Sequence, residues 1–221
     1  MRIIALLVAF VVGLGSVAEA QRRHPVSGRI LAPTMSVAGA GWLERPERED
    51  EEAPSKAIDA LGLRPGMVVA DIGAGSGYYA TRMARRVGPT GRVYATDIQQ
   101  GMLDIITRRI AAERIDNMTT VLGGFDDPRL PARALDLAIM VDVYHELQAP
   151  QAFLQRLRES FKPDGRLVLL EYRKEDPRIP ILEVHKMSVA EVKAELEAEG
   201  FVIDTVVETL PWQHIIILRM K

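Results

Sequence analysis

The 221-residue chain is 48% hydrophobic and 26% charged, which suits one domain of moderate size with its own core. Its formal net charge of −2 provides no basic face of the kind that attracts nucleic acid, so no nucleic-acid partner is expected. The absence of cysteine excludes disulfides, thiolate metal ligands and thiol nucleophiles, and no metal centre is expected.

Arg2 precedes an apolar run over residues 3–14, and Ser16-Val17-Ala18-Glu19-Ala20 closes it with small residues of the kind a signal peptidase accepts. Residues 1–20 therefore read as an export signal cleaved after Ala20, with a periplasmic or secreted mature protein. The run is shorter than the about 20 apolar residues of a membrane span. An uncleaved membrane anchor is the alternative, and no second stretch of spanning length follows. Residues 21–53 read as an arm. Trp42 and Leu43 are expected to staple it to the core in preference to covering a ligand, and the charge run over residues 44–52 reads as a solvated face.

A domain over residues 54–221 begins with an apolar helical face at Ala57, Ile58, Ala60, Leu61 and Leu63, which Pro65-Gly66 ends. Met67 to Ala70 reads as a buried strand. Helices then fall at residues 78–87, 99–113, 150–161 and 188–199. Strands fall at residues 92–96, 118–122, 135–141 and 166–171. Lys162-Pro163-Asp164-Gly165 reads as the turn that breaks the helix over residues 150–161. Ser188 with Glu191 forms a capping box, and Gly200 closes that helix. The alternation predicts an α/β fold, a mostly parallel sheet with helices on both faces. Residues 201–208 and 215–218 have no helix between them, which predicts an antiparallel C-terminal hairpin.

The strongest chemical signal is Val69-Ala70-Asp71-Ile72-Gly73-Ala74-Gly75-Ser76-Gly77, a strand running into a glycine-rich turn that opens a helix. The spacing is G-x-G-x-G, not the G-x-G-x-x-G that sets a pyrophosphate on a helix N-terminus. Asp71, directly before the turn, would repel a pyrophosphate and attract an ammonium. The next strand ends at Asp97, placed to accept hydrogen bonds from ribose hydroxyls. An acid for an ammonium, glycines for close approach and an acid for a ribose describe S-adenosylmethionine.

On these residues the segment 54–221 resembles the class I S-adenosylmethionine-dependent methyltransferases, in the group that includes ubiquinone and menaquinone biosynthesis enzymes. Ala95-Thr96-Asp97-Ile98, Ala134-Leu135-Asp136-Leu137-Ala138-Ile139 and Lys162-Pro163-Asp164-Gly165-Arg166-Leu167 look like further motifs of that family. The resemblance implies a Rossmann-like, seven-stranded sheet. It implies that Asp71 and the backbone around Gly73, Ala74, Gly75 and Gly77 hold the methionine moiety, that Asp97 binds ribose, and that Ile98 packs on adenine beside Met102. The adenine edge falls to Asp126 or Asp127, or to Phe125 by stacking.

The fourth long strand ends in Val141-Asp142-Val143-Tyr144-His145-Glu146, on the side of the sheet where ligands bind in such folds. Asp142, Tyr144, His145 and Glu146 are the candidates for chemistry, with His145 either a proton acceptor or a loop-orienting residue. Asp142 also counts among the cofactor contacts. Glu171-Tyr172-Arg173 and His185-Lys186-Met187 are expected as pocket wall. The expected activity is methyl transfer to a small-molecule acceptor by a monomer or homodimer. A non-catalytic module that binds S-adenosylmethionine or S-adenosylhomocysteine in an exported compartment is the second expectation, and an aminopropyltransferase the third.

Overall fold

The structure is a computed structural model that describes residues 22–221; the export signal expected at residues 1–20 lies outside the described residues. The elements run in chain order from a 3-10 helix, Val37–Glu44, through α1 (Arg48–Glu51), α2 (Pro54–Ala60), β1 (Val68–Ile72), α3 (Tyr78–Val87), β2 (Arg92–Asp97) and α4 (Gln100–Glu113). They continue with β3 (Met118–Leu122), β4 (Leu135–Val141), α5 (Pro150–Ser160), β5 (Phe161–Arg173), β6 (Lys186–Met187), α6 (Val189–Ala198), β7 (Phe201–Val207) and β8 (Gln213–Met220). The sheet order is β3-β2-β1-β4-β5-β8-β7, with β6 paired to the end of β5. β1 to β5 pair in parallel, and β8 runs antiparallel to both β5 and β7.

Strand periodicity divides the core. Leu137 and Ile139 of β4 face a cluster shared with α2, α3 and α4, while Ala138 and Met140 face one shared with α5 and α6. Both faces of the sheet are buried, which is why β4 reads as a continuous apolar run without alternation. The capping box at Ser188 forms as the sequence indicates, with the Glu191 N–H donating to Ser188 Oγ at 3.1 Å.

Two strand assignments differ from the sequence expectation. Lys162 to Gly165 do not form a separate turn. β5 runs through them, with a shift of register between the pairs Leu135–Phe161 and Leu137–Arg166, because Lys162 pairs with Asp136 at 2.7 Å and holds the bulged chain beside β4. The sheet also has an eighth strand, β6, too short at two residues to leave a periodic signal.

The arm folds down onto this body. Glu195 of α6, fully buried, accepts hydrogen bonds from Ser27 and from Arg29 (Nε at 2.8 Å, Nη2 at 3.1 Å). The Ala32 N–H donates to the His145 carbonyl at 3.1 Å. The charge run over residues 44–52 is a solvated face only in part: Glu44, Glu47, Glu49 and Asp50 are exposed. Arg48 and Glu52 are buried, and Glu52 accepts from Arg45 (2.5 Å), Arg48 (2.7 Å) and the Tyr172 hydroxyl (2.7 Å).

Candidate active site

A cavity of about 520 Å³ opens at the carboxyl ends of β1, β2 and β4, where the strand order reverses direction about β1. One end of it is built mainly from backbone. Gly73 has φ of 66°, and a Cβ there would stand 2.6 Å from Val143 Cγ2. Gly75 has φ of 54°, and a Cβ there would stand 2.6 Å from Leu43 Cδ1. Positive φ favours glycine at both positions, and at Gly73 the branched Val143 side chain leaves no room for a Cβ as well. Ala74 and Gly77 do not line the cavity; the Gly77 N–H donates to the Ala74 carbonyl at 2.8 Å and shapes the turn into α3.

Asp97 lies on the cavity wall at the end of β2. Its carboxylate accepts from the Gly75 N–H at 3.0 Å and the Gln99 N–H at 2.9 Å, which holds both oxygens in place. Burial raises its pKa, and these backbone donors oppose the rise. Ile98 and the buried Met102 line the same end, and Phe125 stands at the rim with 57% of its surface exposed. Asp126 is exposed on the loop after β3 and does not line the cavity, so of the candidate adenine contacts the structure brings Phe125 to it and not this acid.

Asp71 lies beneath the floor and not on the wall. Burial pushes its carboxyl up to about 7, and its Oδ2 has no hydrogen-bond partner. Asp142 does line the cavity, with φ of 54°, a left-handed conformation that costs a non-glycine residue on the order of 1 kcal/mol or more. Its Oδ2 accepts from Gln213 Nε2 at 2.7 Å, and its Oδ1 is buried without a partner. Burial, with Glu52 and Glu171 nearby, holds this carboxyl well above the usual carboxylate range.

At the other end, His145 is buried with its ring edge on the cavity. Its Nδ1 is 2.6 Å from Glu171 Oε2, and its Nε2 is 3.1 Å from His185 Nδ1. Glu171 is fully buried, and its other oxygen accepts the Tyr144 N–H at 3.0 Å. Glu146 lines the cavity, and burial pushes its carboxyl up to about 7. Burial, then the neighbouring His145, lowers the His185 pKa. Tyr144, expected among the chemical residues, points away from the cavity. It is fully buried, and its hydroxyl lies 3.3 Å from His24 Nε2, where it helps dock the arm. Of the expected wall residues Tyr172 and His185 line the cavity, whereas Arg173 turns toward the carbonyls of Leu210 and Pro211.

Sequence reasoning missed the arm as a wall. Thr34, Met35, Trp42, Leu43 and Arg48 all line the cavity, so Trp42 and Leu43 staple the arm and cover the site at once. Arg48 brings a guanidinium over the ring of Tyr78 at 4.4 Å. The one available signal was the arm's apolar Trp42-Leu43 pair flanked by charge.

Residues 69–165 match the sequence profile described as a methyltransferase domain. A structure of an S-adenosylmethionine-dependent methyltransferase from Aquifex aeolicus superposes with a TM-score of 0.80 at 26% identity, covering 85% of this chain and all of that one. These two matches support a class I S-adenosylmethionine-dependent methyltransferase domain in this chain. A ubiquinone/menaquinone biosynthesis C-methyltransferase of Cupriavidus taiwanensis is 32% identical over 117 residues, 53% of this chain and 48% of that one. A protein-L-isoaspartate O-methyltransferase of Methanothrix thermoacetophila is 31% identical over 115 residues, half of each chain. The chain thus spans about half the length of the curated relatives it matches. Relatives at 32% and 31% identity carry names for different reactions, one a C-methyltransferase and the other a protein O-methyltransferase, so likeness at this level does not choose between them. The cofactor of this methyltransferase family is S-adenosylmethionine, and the residues present fit it: a glycine turn that a Cβ would block, a buried acid at the end of β2, and two buried carboxyl oxygens without partners.

Proposed function

We propose that the protein transfers a methyl group from S-adenosylmethionine to a small-molecule acceptor bearing an ionisable O–H or N–H. One cavity joining Asp97 and the Gly73–Gly75 turn to His145, Glu146 and His185 carries this reading. Asp97 would take the ribose hydroxyls, and Ile98 and Met102 would face adenine, with Phe125 at the rim. The unpartnered Asp142 oxygen on the wall suits the ammonium of the methionine end, with the Asp71 carboxyl acting on it from beneath the floor, and Arg48 suits its carboxylate.

S-adenosylmethionine, when bound, supplies a methyl group already electrophilic on its sulfonium. What remains for the protein is alignment, a proximity effect. The arm residues Leu43 and Trp42 exclude water from one side. Glu171 accepts the His145 Nδ1 proton, which leaves a lone pair on Nε2, 3.1 Å from His185 Nδ1 and exposed to the acceptor once His185 turns aside. That lone pair would take the acceptor's proton as the new bond to carbon forms.

Calorimetry with S-adenosylmethionine and S-adenosylhomocysteine tests this reading. Micromolar binding that Asp97→Ala weakens sharply supports it, and unchanged affinity in that variant overturns the ribose assignment. Binding with no turnover on any acceptor would instead favour the non-catalytic module. Export is likewise a proposal, resting on residues 1–20. N-terminal sequencing of the protein from fractionated cells should find Gln21 first.

A further inference from the structure

We propose that His145, His185 and Glu146 form a binding site for a divalent transition-metal ion such as Zn2+ or Co2+, at the acceptor end of the cavity. Their donor atoms lie within 4.8 Å of one another. His145 Nε2 is 3.1 Å from His185 Nδ1 and 4.0 Å from Glu146 Oε1. Two imidazole nitrogens each bound to zinc at about 2.1 Å in tetrahedral geometry stand about 3.4 Å apart, close to the spacing already present. The Glu146 carboxylate is the farthest donor and closes its gap by rotation of a long side chain. Two imidazoles and one carboxylate favour zinc or cobalt over magnesium, which takes oxygen ligands.

The surroundings also match a metal centre. Metal-bound histidines donate their second ring nitrogen to a carboxylate or carbonyl, which sets the tautomer. Glu171 does this to His145 at 2.6 Å, and it is itself held by the Tyr144 N–H. The two histidines come from short 3-10 turns, Tyr144–Glu146 after β4 and Glu183–His185 before β6. Pairing of β6 with the end of β5, Tyr172 opposite Lys186, brings the second turn over the first. The three ligands all line the cavity, so a fourth coordination position opens onto it, as in sites with three protein ligands and a free place. The ligand for that place is an oxygen-bearing group of the acceptor. Only this last clause rests on the methyl-transfer reading; metal binding does not, and with an ion on His145 Nε2 the ion would acidify the acceptor, whose proton then leaves to solvent, in place of the general-base role of that nitrogen. The competing arrangement is a plain hydrogen bond from His185 Nδ1–H to His145 Nε2.

The test uses the untagged full chain in mild detergent, stripped with a chelator and titrated with Co2+ while visible d–d absorption is recorded. One equivalent should give a tetrahedral or five-coordinate band that Zn2+ displaces. His185→Ala should abolish it, and Glu171→Gln should weaken the affinity about 10- to 100-fold. If His185→Ala does not fold by circular dichroism, Glu146→Ala serves in its place. No band, or a band unchanged in the folded ligand variant, overturns the site. S-adenosylmethionine affinity measured on the same samples reads the other end of the cavity, so failure of either assignment shows separately.

Discussion

The two ends of the cavity are built differently. The cofactor end is centred on two local motifs, the glycine turn after β1 and the acid at the end of β2, with the arm's Leu43 packed against Gly75. The acceptor end takes side chains from two distant segments, the turn after β4 and the turn before β6, over a buried carboxylate of β5. Local backbone geometry can be shared across a broad family while the acceptor changes, because the acceptor end depends on how separate segments dock.

Four measurements break or sharpen that contrast. The largest effect should fall at the acceptor end. His145→Ala should lower turnover about 10²- to 10⁴-fold in single-turnover assays while leaving calorimetric cofactor affinity within about threefold. Equal losses in both would mean the ends are not separable. Next is the arm that walls the cavity. Glu52→Ala leaves Arg45, Arg48 and the Tyr172 hydroxyl without their shared buried partner. A loss of about 3–5 kcal/mol in denaturant unfolding is expected, and a loss under 1 kcal/mol would show the arm is not held by this network.

At the cofactor end, Asp97→Ala should weaken S-adenosylmethionine about 100-fold, the scale of charge-assisted hydrogen bonds, with acceptor affinity unchanged. The smallest effect is a pH dependence. Burial raises Asp71 to about 7 in the folded protein. This raised value means the neutral carboxyl is the form favoured by folding. Asp71 thus stabilises the unliganded protein fully below the ordinary carboxylate pKa, and that contribution is lost as pH rises from about 4 through 7. Asp71→Asn should flatten the decline. An arriving ammonium favours the ionised form, so binding should tighten with pH through about 7 and release a proton, visible as a buffer-dependent heat. Buffer-independent heats would remove Asp71 from the ammonium site.

Much of the fold was legible because burial on both sheet faces writes long apolar runs between glycine and proline breaks, as β4 and α3 show. β6 was invisible at two residues, and the bulge in β5 was hidden because Pro163-Asp164-Gly165 carries turn composition inside a paired strand. Gly73, Gly75 and Asp97 were readable because turn chemistry and a strand end are local. Tyr144 was misread because a side chain three residues after a strand end points either way, and only the docked His24 shows which. The metal-like grouping was missed because His185 lies 40 residues from His145.

Sequence alone determined the alternation of strands and helices, the glycine turn and the acid at the end of β2, since each follows from short-range sterics and a local period. Tertiary structure decided that Arg48 and Glu52 of the charged arm are buried, that Glu171 orients His145, and that His185 and Glu146 share one corner. Those facts depend on which segments meet across the sheet, and a linear pattern holds no record of contacts that long-range packing creates.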